Sequence, residues 1–312
     1  MQHLMILKKR KRMDWRKLGF LFVTLALPFT FFLVFGLYPN LVSLWYSLLQ
    51  WDGILPQVFV GLNNFKVAMT DPYVWNGLKN SLLIMVCTVP LQMVIALLLS
   101  FGIVDSDFKE KNVYKLLFYF PNIIPSVMIA MLWSFVYDGD LGLLNGLLKL
   151  INPSEAGKFW LADKDIALYC LMLPMIWGGV GGQLIMYLNA MTAIPSSLYE
   201  TCQLEGATKL QKLWYVTLPL IKGTLITSGT FCILGAMQTF ELIMLMTGGG
   251  PSGSTSTVAM YMYNLAFTGS NTGSISSRMY GYASAVGTIL MIVLMCTRLI
   301  LERVSKYEVI EY

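Results

Sequence analysis

Residues 194–219 read IPSSLYETCQLEGATKLQKLWYVTLP and form a polar interruption between two long apolar stretches of the chain. Ser197 is followed three residues later by Glu200, which is the spacing of a helix capping box. Gly206 permits a bend after this first short helix, and Pro219 suits the first turn of the next helix, where its missing N–H costs nothing. The stretch therefore predicts a helix, a break and a second helix within one loop.

The stretches beside this loop are two of six apolar segments in a chain of 312 residues that is 56% hydrophobic and only 12% charged. Such a composition excludes an ordinary soluble domain of this size. A bilayer core of about 30 Å needs roughly 20 apolar residues per helical crossing. We therefore expect an all-α polytopic membrane protein with about six transmembrane helices. The predicted spans are 18–38, 81–104, 116–137, 166–191, 224–247 and 282–297.

The first predicted span follows a basic run, as the apolar core of a cleavable signal peptide would. It is longer than a usual signal core and no small-x-small cleavage site follows it, so we expect a retained membrane helix. Most Lys and Arg residues lie before the first span, between spans two and three, between spans four and five, and after the sixth. These segments share one side of the membrane, and the side richer in Lys and Arg is usually cytoplasmic. Both termini are therefore expected in the cytoplasm, with a basic tail at 1–17, a transmembrane domain at 18–305 and a second tail at 306–312.

The sequence lacks the residues that several other functions require. Its net charge of +5 is spread along the predicted inner membrane face, so no nucleic-acid binding is expected. The five cysteines show no paired spacing and are expected to pack as small apolar residues. The only histidine is His3, in the basic tail, and no Gly-x-x-x-x-Gly-Lys-Ser/Thr loop occurs. We expect no catalytic residues, no metal site and no ATP hydrolysis by this chain alone.

The loop at 194–219 resembles the EAA loop of permease subunits of ATP-binding-cassette (ABC) importers. Glu200 is followed by two small residues, then by an acidic-Gly-Ala triplet, and the loop ends on a Leu-Pro pair. Glu205 stands where that family usually has aspartate. The resemblance implies the type I, maltose-permease-like fold. It also assigns coupling to the ATPase to Glu200, Glu205, Gly206, Ala207, Leu218 and Pro219, whereas the simpler alternative is that Glu200 only caps its own helix.

This resemblance implies a set of partners. They are a second homologous permease subunit, two ABC ATPase subunits that bind ATP and Mg²⁺, an extracytoplasmic solute-binding protein and membrane lipid. This chain itself would bind no cofactor. It would lie in the inner or cell membrane of a bacterium or archaeon.

A second resemblance covers the glycine-rich stretch at the end of the fifth predicted span. Thr247 to Pro251, followed by Thr255, is similar to the Thr-x-Gly-Gly-Pro element of sugar-type permeases. The resemblance implies that a sugar or oligosaccharide is the substrate. Glycerol phosphate is an alternative, because permeases of the same class also import it. The sequence names neither the sugar nor its length.

Candidate residues for a substrate path lie in the fourth and fifth predicted spans. Glu241 is the only ionisable residue deep in a predicted span, so we expect it to face the bundle interior. Glycines of the fourth span could also serve close helix packing alone, and Glu241 could be a structural residue hydrogen-bonded near the outer end. By resemblance to the sugar permeases, the candidates for the path are Trp177, Gly179, Gly182, Gln183, Gln238, Thr239, Phe240 and Glu241.

Two other functions remain to be weighed against an importer permease. An ion-coupled secondary transporter normally needs intramembrane carboxylates and inverted repeats of broken helices. This sequence offers one candidate carboxylate and no visible repeat. A membrane receptor or scaffold that transports nothing would have no reason to keep the spacing from Glu200 to Pro219.

Overall fold

The computed structural model of the protein describes residues 15–106, 109–152, 157–268 and 279–304. Most of the predicted basic tail and the whole predicted C-terminal tail lie outside these residues. The described part is helical apart from one two-stranded hairpin, in which β1 (Leu49–Gln50) pairs antiparallel with β2 (Val58–Phe59) and Leu49 faces Phe59. The sequence did not predict this hairpin.

The helices follow one another with short connections. Three π-helical segments interrupt them, at Phe32–Leu37, Lys212–Thr217 and Asn264–Thr268. The α-helices of the described residues are α1 (Trp15–Phe31), α2 (Tyr38–Tyr46), α3 (Asn63–Thr70), α4 (Pro72–Val104), α5 (Lys111–Ile123), α6 (Ser126–Val136), α7 (Leu143–Ile151), α8 (Ala167–Thr192), α9 (Ser196–Leu204), α10 (Lys209–Gln211), α11 (Leu218–Leu220), α12 (Lys222–Met237), α13 (Glu241–Met246), α14 (Val258–Tyr263) and α15 (Tyr280–Val304).

Four helices of the described chain are long and apolar enough to cross a membrane, and two bent helix pairs bring the number to six if each pair is one span. The all-α membrane fold with about six spans is thus confirmed. The four continuous spans are Gly19–Tyr46, Pro72–Val104, Ala167–Thr192 and Tyr280–Arg303. The bent pairs are Lys111–Ile123 with Ser126–Val136, at 93°, and Lys209–Leu220 with Lys222–Met237, at 75°.

Two of the predicted spans are therefore not straight helices. The third breaks at Ile124, because Pro125 disfavours helical backbone in the residue before it. The fifth prediction, 224–247, was wrong as one helix: α12 ends at Met237 and α13 begins only at Glu241. In the break, the carbonyl of Thr239 accepts a hydrogen bond from the hydroxyl of Thr257 at 2.8 Å instead of from a helical N–H.

The centre of the bundle is α4, which packs against α8, α12 and α14. α5 also lies directly on α8. A side chain at Gly181 would come within 3.0 Å of the Phe118 carbonyl and of the Tyr119 Cα, so the glycine allows the two backbones to meet. The buried Tyr187 hydroxyl shares a hydrogen bond of 2.8 Å with Ser228 and joins α8 to α12.

The end of the bundle opposite residues 194–219 is held by hydrogen bonds to two backbone carbonyls and to one carboxylate. Asn80 of α4 donates to the carbonyls of Ser254 and Ser256, both at 2.9 Å, in the loop that follows α13. Asp71, just before α4, accepts from the hydroxyls of Tyr261 and Tyr282 at 2.7 and 2.6 Å. These bonds fix α14 and α15 against the start of α4.

Asn145 of α7 organises the loop between α6 and α8. Its amide nitrogen donates to the carbonyls of Asp138, Gly139 and Lys158, all at 2.9 to 3.0 Å. Its oxygen accepts from the Lys158 N–H and from the indole of Trp160. One buried side chain thus closes the loop on itself.

The first span, Gly19–Tyr46, stands apart from the other spans. None of its most apolar window is buried against the rest of the described chain. Only its last part, α2, lies against α15 and the hairpin. Within the described structure, most of this apolar helix is free to contact lipid or another chain.

Candidate functional site

The loop at 194–219 has the predicted order of helix, break and helix, but it begins differently from the prediction. α9 starts after Pro195, and no side chain caps its first turn. The predicted capping box of Ser197 and Glu200 was therefore wrong, because Ser197 lies inside the helix and its carbonyl accepts from the Thr201 hydroxyl at 2.8 Å. The capping box of this loop belongs instead to α10, where Thr208 and Gln211 bond each other's backbone N–H groups.

Gly206 ends α9 in a Schellman motif. Its φ is +72°, the Ala207 N–H bonds the Cys202 carbonyl at 2.9 Å, and the Gly206 N–H bonds the Gln203 carbonyl at 3.1 Å. No atom lies within 4 Å of a Cβ added at Gly206. The bend predicted at this glycine is confirmed, and its cause is backbone conformation and not crowding.

The loop presents an acidic and apolar surface. Glu200 and Glu205 are exposed, and Leu204 between them is 89% exposed. Tyr215 borders a shallow groove of about 330 Å³ formed with Cys202, Glu205, Gly206, Ala207, Gln211, Lys212 and Val216. Sequence reasoning missed Leu204 and Tyr215, although large apolar residues in a polar loop are the usual sign of a protein contact.

The predicted end of the loop, Leu218-Pro219, anchors it to the bundle. Leu218 packs against the core cluster that contains Tyr187 and Leu213. Pro219 is exposed and lies in the single turn of α11, three residues before α12 begins. Pro219 thus precedes the bend of 75° between the loop helices and α12, and does not itself open α12.

Two lysines of the loop bind one carboxylate at the end of α4. Lys212 Nζ contacts Asp105 Oδ1, and Lys209 Nζ lies 3.2 Å from Asp105 Oδ2. The side chains of Lys212 and Asp105 are only 6% and 9% exposed, whereas that of Lys209 is 76% exposed. Burial acts to raise the pKa of Asp105, but hydrogen bonds and charge from the two lysines outweigh it and hold this pKa below its ordinary value. The sequence analysis did not pick out this ion cluster.

One candidate path residue of α8, Gln183, lies in a polar cluster between α4, α8 and α12. Gln183 Nε2 donates to Cys232 Sγ of α12 at 2.8 Å, and Cys232 lies 3.7 Å from Gln92 Oε1 of α4. Gln92 in turn donates to the Met175 carbonyl at 2.9 Å. The buried oxygen of Gln183 has no hydrogen-bond partner among the described residues. Buried acceptors of this kind are usually paired, so this oxygen is the one polar atom of the described cluster that still needs a partner.

The neighbouring glycines have different surroundings. A Cβ at Gly179 would lie 2.6 Å from Gln92 Nε2, so glycine leaves the space that Gln92 fills. A Cβ added at Gly182 would lie 3.5 Å from Asn122 Nδ2 of α5, which is an ordinary contact distance. Trp177 is half-buried, its ring is 6.1 Å from that of Trp133, and it packs against a cluster that includes Leu242.

The candidates near the break after α12 are more scattered. Gln238 is exposed, and Phe240 packs on Tyr263 with ring centres 5.5 Å apart. The Thr239 hydroxyl bonds the Gly235 carbonyl at 3.1 Å. Glu241 does not lie deep in a continuous span as predicted: it is exposed at the first residue of α13, and its side chain has no hydrogen bond to the described residues.

The described residues form a membrane bundle of about six spans, with a bent helical loop projecting from one end. Residues 92–306 match the family model described as "Binding-protein-dependent transport system inner membrane component". The chain belongs to this family. It is therefore a multi-pass membrane component of a transport system. The resemblance to the permease subunits of ABC importers, which the sequence analysis identified, is confirmed.

Named relatives are similar over almost the whole chain. The "Probable ABC transporter permease protein YurN" of Bacillus subtilis is 29% identical, over 92% of this chain and 95% of the relative. The "Trehalose/maltose transport system permease protein MalF" of Thermococcus litoralis is 26% identical, over 94% and 95%. The "Diacetylchitobiose uptake system permease protein NgcF" of Streptomyces coelicolor is 26% identical, over 90% and 81%.

A solved structure gives the same fold. A chain of a bacterial alginate ABC transporter, in complex with an alginate pentasaccharide-bound periplasmic protein, superposes with a TM-score of 0.79. The two chains are 20% identical, and the match covers 94% of this chain and 96% of that one. At this identity the likeness establishes the type I permease fold.

Proposed function

We propose that this chain is a permease subunit that forms half of the translocation path of an ABC importer for a sugar or oligosaccharide. The observation that carries the proposal is the projecting loop of α9, Gly206 and α10, at the end of a bundle that has the permease fold. The relatives named for trehalose/maltose and diacetylchitobiose transport support a carbohydrate as the substrate.

The loop is the contact with the ATPase subunits. α9 offers exposed carboxylates at Glu200 and Glu205 on either side of the exposed Leu204. A partner surface with an apolar pocket and basic rim would complement it, because buried apolar anchors supply affinity and charges supply orientation. ATP and Mg²⁺ are bound by that partner, and this chain binds no cofactor. When the ATPase pair closes, the loop moves and the helices switch from an inward-open to an outward-open arrangement.

The loop lies on the cytoplasmic side. Lys109, Lys111 and Lys115 at the start of α5, and the lysines of the loop itself, are at the same end of the bundle. The positive-inside rule places that end in the cytoplasm, with both termini. The loop that follows α13 then faces outward, where an extracytoplasmic binding protein would deliver the sugar.

A second permease subunit completes the path. The first span leaves most of its apolar surface without contacts to the described chain, as a helix would that packs on a neighbouring subunit. In α8, the unpaired oxygen of Gln183 and the half-buried ring of Trp177 are the hydrogen-bond acceptor and the apolar platform that we assign to sugar binding.

Reconstitution tests the proposal. The chain is purified with its second permease and ATPase subunits, placed in liposomes, and supplied with binding protein and radiolabelled sugars whose binding to that protein has been measured. We expect uptake that requires both ATP and the binding protein. Uptake that proceeds without ATP and follows an imposed proton or sodium gradient would instead establish a secondary transporter.

A further inference from the structure

The ion cluster at Asp105 joins two parts of the chain that are 107 residues apart in sequence. Asp105 directly follows the last residue of α4, and its N–H continues the helix by bonding the Phe101 carbonyl at 2.9 Å. Lys212 belongs to the loop assigned above to ATPase contact. Because both side chains are almost fully buried, the pair is shielded from competing water and salt. Exchange of either partner for water or a solution ion is therefore disfavoured.

On the loop side, the pair is connected to α9. Lys212 begins the π-helical segment Lys212–Thr217, and its carbonyl accepts from the Thr217 hydroxyl at 3.2 Å. The same hydroxyl shares a hydrogen bond of 3.2 Å with the Tyr199 hydroxyl of α9. Both Lys212 and Thr217 are buried. The projecting helix, the π-helical segment and Asp105 thus form one continuous set of polar contacts.

On the other side, α4 reaches the candidate substrate path. Gln92 of α4 lies thirteen residues before Asp105, a distance of about 20 Å along the helix axis. Gln92 bonds the Met175 carbonyl of α8 and lies beside Cys232 of α12. α4 therefore contacts the loop at one point and the path helices at another.

We propose that Asp105 is a positioning residue for coupling, which holds the ATPase-contacting loop on the end of α4 so that loop and helix move together. The proposal rests on the function proposed above, because it names the residue through which that loop acts. A buried ion pair is weak evidence for stability, since replacing both partners by apolar residues of similar volume is often neutral or stabilising. The role we assign to this ion pair is to keep the loop in a fixed position relative to the end of α4.

The main experiment compares four variants in the reconstituted complex, with sugar imported per ATP hydrolysed as the readout. Asp105→Asn and Lys212→Gln remove the buried pair, Lys209→Gln removes only the exposed lysine, and Asp105→Glu keeps the charge. We expect the first two to lower sugar per ATP about two- to thirty-fold, the range of coupling changes seen for residues that link sites. Lys209→Gln and Asp105→Glu should stay within about two-fold of the parent complex.

A distance measurement tests the same link without any sugar. Spin labels at Leu98→Cys on α4 and Leu210→Cys on α10, both exposed positions, report how firmly the loop is held. We expect one narrow distance distribution in the parent and in Lys209→Gln, and a broad one in Asp105→Asn and Lys212→Gln. This measurement does not depend on whether the substrate is a sugar.

Two results would overturn the proposal. One is unchanged sugar per ATP in Asp105→Asn; if the melting temperature of that variant is also lower, the ion pair is structural only. The other is a distance distribution that stays narrow in Asp105→Asn and Lys212→Gln.

Discussion

Gln183 of α8 donates a hydrogen bond of 2.8 Å to the sulfur of Cys232 on α12, and this bond joins two helices of the candidate path. The sequence analysis named Gln183 as a path residue and treated Cys232 only as a small packing residue. The bond makes the cysteine a polar partner whose loss would leave a buried amide donor unpaired.

Cys232→Ala should therefore destabilise the protein more than Cys232→Ser, which retains an acceptor. We expect a loss of about 1 to 3 kcal/mol for alanine, the usual cost of an unpaired buried polar group. Thermal unfolding of the detergent-purified protein measures the difference. Equal melting temperatures for the two variants would show that the amide finds another partner.

Glu200→Lys should abolish uptake and leave the protein folded. Because no side chain caps the first turn of α9, the substitution loses no cap, and an exposed change of this kind usually alters stability by less than about 0.5 kcal/mol. At a tight contact with basic groups, the reversed charge costs several kcal/mol in binding. The measurements are ATPase retention during purification and sugar-stimulated ATP hydrolysis.

Glu110→Lys provides the matched control for that experiment, because it makes the same charge change at an exposed position just before α5. It should retain both activities. If Glu200→Lys keeps full binding of the ATPase subunits and full sugar-stimulated hydrolysis, Glu200 is not part of the contact with the ATPase.

Gly206→Pro should stop transport without preventing membrane insertion, since proline is restricted to a φ near −65° and the glycine has a φ of +72°. Gly206→Asn should keep at least part of the transport, because asparagine tolerates this conformation and no neighbouring atom obstructs a side chain. Uptake assays, with protein in the membrane quantified by immunoblot, compare the two. Normal uptake by the proline variant would rule out the role given to the bend.

Asn145→Ala should loosen the loop between α6 and α8. The indole N–H of Trp160 and the backbone N–H of Lys158 would lose their acceptor, at a cost of about 1 to 3 kcal/mol. Limited proteolysis of right-side-out vesicles should cut this loop faster in the variant than in the parent protein. Equal rates of cleavage would show that other contacts close the loop.

Cysteine tags check the orientation. Tags at Lys109 and Lys209 should react only from the cytoplasm, whereas a tag near Ser254, at the exposed Ser252, should react from outside, because charged loops rich in lysine stay inside. A tag at Glu155, which lies outside the described residues, is also predicted to react from outside. Labelling of the tag at Lys209 from outside would show that the predicted topology is inverted and that the loop does not contact a cytoplasmic ATPase.

Much of the fold follows from local sequence signals. Uncharged stretches long enough for a bilayer identify the spans, and Gly206 identifies the bend through a conformation that other residues rarely adopt. Features that depend on distant partners were not predictable. The break before Glu241 involves the Thr257 hydroxyl, and the absent cap at Ser197 depends on Pro195 setting the helix start two residues earlier. The Asp105 cluster needs two segments to meet in space.

The span Gly19–Tyr46 has a consequence for biogenesis. Its Thr30 hydroxyl bonds the Ala26 carbonyl and its Asn40 amide bonds the Gly36 carbonyl, so these polar side chains are satisfied within their own helix. Such a helix can leave the translocon and rest in lipid before any neighbouring subunit has been synthesised. Insertion of this span therefore does not require the second permease subunit proposed above, and the helix can remain in lipid until that subunit packs on it.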